Sequence, residues 1–69
     1  MQPYQERVVI EKTELDEKRL KLSSFINSET YYTLNSLEQL QLAWQLKFMT
    51  LYSDILGERI AGFKLHELI

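Results

Sequence analysis

The chain has 69 residues, 45% of them apolar, and a formal net charge of −2, values of a single small folded domain and not of a disordered segment. A chain this short buries only about 60% of the surface its unfolded form exposes. It has no cysteine and only one histidine, His66, so neither disulfides nor a zinc site are expected to stabilise it, and self-association is left to do so.

Pro3 is the only proline, and Gly57 and Gly62 the only glycines, in a chain rich in Leu, Glu, Lys and Gln. So few breakers predict helix nearly throughout. The first helix is expected over about 3–26, with Pro3 in the first turn, where its missing N–H costs nothing. Val8, Leu15 and Leu22 fall seven apart and Phe25 and Ile26 continue their stripe, as in an amphipathic helix. Glu14 with Lys18 and Glu17 with Lys21 are i,i+4 pairs in the favourable order. Tyr4, Glu11, Lys18 and Phe25 run beside the apolar stripe, either as a solvated edge or as the lining of a polar pocket.

Residues 27–36 form the connector, with Tyr31, Tyr32 and Leu34 expected to close a short helical turn over the core. Ser36 and Gln39 have the spacing of a capping box and start a second helix over about 37–63 or longer. That helix carries two apolar stripes. One is Leu37, Leu40, Trp44, Phe48, Leu51 and Ile55; the other is Leu42, Leu46, Met49, Leu56, Ile60 and Phe63. One partner helix covers one stripe, so either the first helix and the connector tyrosines together cover both, or, as self-association would have it, the second calls for another copy or a different protein. Trp44 is expected to be buried, and Gly57, Ala61 and Gly62 either to admit a close helix crossing or to mark the fraying end of the helix. The fold class is therefore all-α: one domain, an antiparallel helical hairpin with a short connecting helical turn, assembled as a homo-oligomer.

The acidic balance argues against a general DNA or RNA binder, and no apolar run approaches the roughly 18 residues of a membrane span. The opening Met-Gln-Pro-Tyr lacks the regions of a signal peptide, so a cytoplasmic protein is expected. There is no cysteine nucleophile, glycine-rich phosphate loop or HExxH motif, and His66 is expected to be a surface residue. No enzyme activity, metal or cofactor is expected. Arg7 follows helical spacing with Tyr4 and is a candidate anion partner.

The segments PYQERVVIEKTELDEKRLKLSSFI and YSDILGERIAGF resemble a family of small phage proteins related to a crAss-like phage protein, which includes the type-2 anti-CBASS proteins. The resemblance covers residues 2–63. It implies a helical protein, a hexamer in the characterised members, that works in the host cell cytoplasm. Such a protein sequesters cyclic dinucleotides such as cyclic GMP-AMP, and cyclic trinucleotides at distinct sites, without cleaving them, so that the bacterial effector does not fire. Carried over by position, Lys21 resembles the phosphate-contacting lysine, Ser23 a hydroxyl that bonds phosphate, Arg59 the arginine of the trinucleotide site and Tyr4 the aromatic that stacks on a base. Two other readings are a helical adaptor for a host or phage protein and a sponge for a different signal, such as a cyclic ADP-ribose variant.

Overall fold

A computed structural model describes the backbone of residues 1–68 and the side chains of residues 1–63. Two helices, α1 (Pro3–Ile26) and α2 (Ser36–Leu68), are joined by a 3₁₀ turn, Thr30–Thr33. Pro3 opens α1, where the Gln5 carboxamide accepts the Gln2 N–H at 2.8 Å. At the other end Asn27 turns back, its amide and its side chain both donating to the Ser23 carbonyl.

The connector is held by Tyr31, which is buried against the Phe25 ring and donates its hydroxyl to the Gln39 carbonyl at 2.8 Å. Tyr32 lies in solvent. The start of α2 falls one residue before the expected one. Asn35, not Ser36, is the cap: its side-chain oxygen accepts the Glu38 N–H at 2.8 Å. Gln39 instead donates its side-chain amide to the Leu34 carbonyl, tying the connector to the helix.

The helices run antiparallel, as the pairs Tyr4–Phe63, Lys12–Ser53 and Arg19–Thr50 require. Residues recurring every three or four positions share one helical face. On α1 the inward face includes Gln5, Val8, Lys12, Leu15, Asp16, Arg19 and Leu22; on α2 it is the stripe Leu42, Leu46, Met49, Leu56, Ile60, Phe63, together with Ser53. Leu56, at 0% exposure, is the best-buried side chain, and Val8 and Tyr31 complete the fully buried apolar core among the described residues.

The other stripe of α2 faces away from α1. Leu37, Leu40, Trp44, Phe48, Leu51 and Ile55 are all exposed, and neither α1 nor the connector tyrosines cover them. Trp44, expected to be buried, is 46% exposed and stacks only on its neighbour Phe48, with Lys47 over its ring. The reason is angular: positions 37, 40, 44, 48, 51 and 55 lie nearly opposite positions 42, 46, 49, 53, 56 and 60 at about 100° per residue. The glycines meet no crossing helix within the hairpin. A Cβ on Gly57 would make ordinary contact with Lys12 at 3.6 Å, one on Gly62 would meet nothing within 4 Å, and α2 continues past both.

The resulting rod measures 52 × 15 × 14 Å, with a radius of gyration of 15.7 Å against about 11 Å for a compact 69-residue domain. Its accessible surface of 5435 Å² likewise exceeds the roughly 4,600 Å² typical of a folded monomer of this mass.

Midway along the seam stands a polar clasp. Asp16 accepts hydrogen bonds from Lys12 (3.0 Å), from Arg19 Nε (3.1 Å) and, across the seam, from the Ser53 hydroxyl (2.5 Å). Lys12 also donates to Ser53 at 2.7 Å, and Arg19 Nη1 to Thr50 at 3.2 Å. The Ser53 hydroxyl bond, then Lys12, hold the Asp16 carboxyl below its ordinary value of 3.8, with burial opposing and the charges of Lys12 and Arg19 assisting. A lowered carboxyl favours folding fully above 3.8, and its contribution is lost as pH falls through the lower folded value. The stability advantage of wild type over Asp16→Asn, followed by urea denaturation, is expected to be constant above that pH and to shrink below it. Leu56→Ala is expected to cost about 2–5 kcal/mol in the same assay.

Candidate functional site

The five residues singled out from sequence separate into two sets. Because the helices pair antiparallel with Tyr4 against Phe63, Arg59 of α2 lies level with the first turns of α1. Tyr4, Arg7 and Arg59 therefore share the end of the rod that holds the first turns of α1 and the later turns of α2. All three are exposed, and Tyr4 presents its ring edge-on to Phe63, with centroids 5.7 Å apart. Lys21 lies 14 residues along α1 from Arg7, about 21 Å away. No single small ligand on one chain reaches both sets.

Lys21 and Ser23 are themselves divided. Two positions apart on a helix means about 200° around it. Lys21 stands on the outer face of α1, exposed, while Ser23 is half-buried at the seam. The expected i,i+4 pairs Glu14–Lys18 and Glu17–Lys21 are not closed: among the described residues the ion pairs are those of Lys12 and Arg19 with Asp16. Lys21, Arg7 and Arg59 thus keep solvated charges with no carboxylate within 4 Å among the described residues.

The row Tyr4, Glu11, Lys18 and Phe25 runs along one flank of the seam. Tyr4 rests on Phe63, Glu11 accepts the hydroxyl of Tyr52, and Phe25 meets Tyr31. Within one hairpin this row is an edge that closes the seam.

On the opposite flank a groove of about 180 Å³ opens between the helices, lined by Arg19, Leu20, Ser23, Leu46 and Thr50. Ser23 is the only one of the five sequence candidates in it. Arg19 and Thr50 escaped the sequence reading, and so did Lys12, Asp16 and Ser53. The signal was present, since positions 12, 16 and 19 continue the helical row of Gln5 and Val8, but charged residues on a helix ordinarily belong to a solvated face. Ser53, beside a lysine and an aspartate, is sealed at 1% exposure with its hydroxyl committed to both, so it presents no accessible nucleophile in this conformation.

Among the described residues no cluster of three or more His, Cys, Asp or Glu side chains is placed to hold a metal, and no helix is long and apolar enough to cross a membrane. The side chain of His66 lies outside the described residues.

No curated protein and no solved structure matches the chain. A family model does: the one described as Sequestin matches residues 2–62, nearly the whole of both helices and the connector between them. With most of its length matched, the chain belongs to the Sequestin family, whose name denotes sequestration.

Proposed function

We propose that this protein is a phage anti-defence sponge of the type-2 anti-CBASS kind. In this reading it acts in the host cell cytoplasm, binds cyclic dinucleotides such as cyclic GMP-AMP and cyclic trinucleotides without cleaving them, and withholds them from the CBASS effector. Membership of a family named for sequestration supports the general activity, and the resemblance of the two sequence segments supports the ligand class.

The observation that carries the reading is the uncovered stripe of α2. Its six large side chains expose on the order of 700 Å² of apolar surface, more than the largest patch of an ordinary monomer. Buried between two copies, that area reaches the range of stable protein interfaces. The spacing is close to self-complementary in an antiparallel arrangement: reversing the order about residue 46 sets Leu37 against Ile55 and Trp44 against Phe48. Cations flank the stripe, with Lys47 along one edge and Arg59 along the other. Copies joined through this face, as in a hexamer, create seams bordered by positive charge, with tyrosines nearby to stack on bases.

A protein that inhibits by stoichiometric capture needs tight binding; a nanomolar constant corresponds to about −12 kcal/mol. Charge-assisted hydrogen bonds to phosphates and base stacking in a desolvated seam are interactions of that order.

Calorimetry with a panel of cyclic di- and trinucleotides and cyclic ADP-ribose variants is expected to give tight binding of a cyclic oligonucleotide, with intact ligand recovered after denaturation. Absence of binding to every member at micromolar concentration ends the proposal. Lys21→Ala is expected to weaken binding more than tenfold with assembly retained. Phe48→Asp places a charge in the middle of the stripe and is expected to convert the oligomer to single hairpins in light scattering. If the unsubstituted chain is already a monomer, the helical-adaptor reading, in which the stripe receives a helix of another protein, replaces this one.

A further inference from the structure

We propose that the hydroxyls of Ser53 and Thr50 decide which of its two apolar faces α2 gives to α1, and so keep the outer stripe free for a partner. The inference stands on the hairpin alone and does not depend on the ligand.

Apolar burial by itself favours the other choice. The outer stripe is unbroken, with six large side chains that include Trp44 and Phe48. The inner stripe is broken at position 53, where the spacing 42, 46, 49, 53, 56, 60 calls for an apolar residue and the chain has serine. The hydrophobic effect follows area and has no direction, so a plain apolar helix would settle on the tryptophan and the phenylalanine. α1 instead covers the face with the hydroxyl, and Ser53 is sealed there at 1% exposure.

The inward face of α1 is not plainly apolar. Lys12, Asp16 and Arg19 project from it, their side chains only 30–32% exposed. Polar groups withdrawn from water to that degree need hydrogen-bond partners on the facing helix. Ser53 accepts from Lys12 at 2.7 Å and donates to Asp16 at 2.5 Å, and Thr50 accepts from Arg19 at 3.2 Å. On the outer face the residues at this level are Phe48, Leu51 and Ile55, which offer no hydroxyl. Turning α2 by about 150° to present them would forfeit three bonds to charged groups, each worth about tenfold in an equilibrium.

Other links do not distinguish the faces. Among the described residues one more side-chain hydrogen bond joins the helices, from Tyr52 to Glu11, and Tyr52 stands on the border between the two stripes. The bonds of Tyr31 to the Gln39 carbonyl and of the Gln39 amide to Leu34 tie the connector to α2 and involve no residue of α1. Choosing one packing among several is the best-attested use of polar groups in an apolar seam.

The chain has no cysteine, so an introduced pair can report the covered face by closing a disulfide within one chain, read by non-reducing electrophoresis of the monomer. Leu15→Cys with Met49→Cys reports the inner face, and Leu15→Cys with Phe48→Cys the outer. With no other change, the inner pair is expected to close at least about tenfold faster than the outer. Ser53→Leu with Leu51→Ser moves the hydroxyl to the outer stripe at constant composition and is expected to raise the outer-to-inner ratio at least about tenfold. Ser53→Ala with Thr50→Val, which deletes both hydroxyls, is expected to raise it by a similar factor. Gln39→Ala, a control at the connector, is expected to leave it unchanged. If the ratio stays put in the exchanged variant, or if Gln39→Ala moves it as much, the hydroxyls do not choose the face and the proposal falls. If the exchanged variant loses its helical circular dichroism, the double deletion decides, and an unaltered ratio there overturns the proposal equally.

Discussion

A long helix with one neighbour can hide one face, and the properties of this protein follow from that limit. The 33-residue α2 carries apolar side chains on two nearly opposite faces, and the 24-residue α1 occupies one of them. The connector passes over the end of the hairpin and does not reach the far side. Among the described residues, what is fully buried in one chain is slight: Val8, Tyr31 and Leu56 among apolar residues. A small domain with so little core depends on outside help; the sequence has no cysteine, and no metal-ligand cluster is placed among the described residues. Surface on the outer face of α2 therefore bears on stability as much as on recognition. On the proposed assembly, the contact between copies would complete the core.

The seam is curious in being polar at its centre. Ion pairs as accessible to water as these contribute little to stability, because solvent screens their attraction. Their better-attested contribution is to register. Leucines facing leucines tolerate a slip of one turn between helices. The clasp does not, because Ser53 must meet both Lys12 and Asp16 while Thr50 meets Arg19. A one-turn slip, about 5.4 Å, would break the bonds of Ser53 to Lys12 and Asp16 and of Thr50 to Arg19, leaving only the pairs within each helix. Fixed register in turn fixes which residues share a level: Arg59 with the first turns of α1, and Ser23 with Leu46. The clasp thus sets the site geometry as well as the fold.

Much of the fold was legible because it depends on local signals. Proline at the start of α1, polar residues at the break and apolar spacing along α2 specify helices one residue at a time. Both α2 stripes were visible in the sequence, but periodicity cannot say which stripe a neighbour covers. That choice placed Trp44 outside, on the face nearly opposite Leu56. The cap moved from Ser36 to Asn35 because either side chain can accept an amide bond, and the connector's geometry decides between them. The clasp was illegible for a different reason: Lys12, Asp16 and Arg19 read as a solvated face until Ser53 and Thr50, more than thirty residues away, are brought against them. Lys21 and Ser23, two positions apart, stand on different sides of their helix, so the phosphate contacts that the resemblance implies for them are not one shared contact within a hairpin.

That separation bears on how a sponge of this shape would work. Tyr4, Arg7 and Arg59 gather at the end of the rod that holds the first turns of α1, while Lys21 and the Arg19–Ser23 groove lie toward the connector. A ring of two or three nucleotides is too small to span these sets on one chain. On the proposed assembly, antiparallel pairing through the α2 stripe carries that end of one copy alongside the connector end of the next, since Arg59 falls level with the partner's residues near position 33. Sets that are remote within a hairpin become neighbours between hairpins. The alternative is two separate pockets, one for each set, and the oligomer would then hold ligands of two kinds. On the proposed assembly, capture across the two sets would depend on association. Tight binding would require the outer face of α2 to be covered first, and the affinity of the sponge would fall with its own dilution.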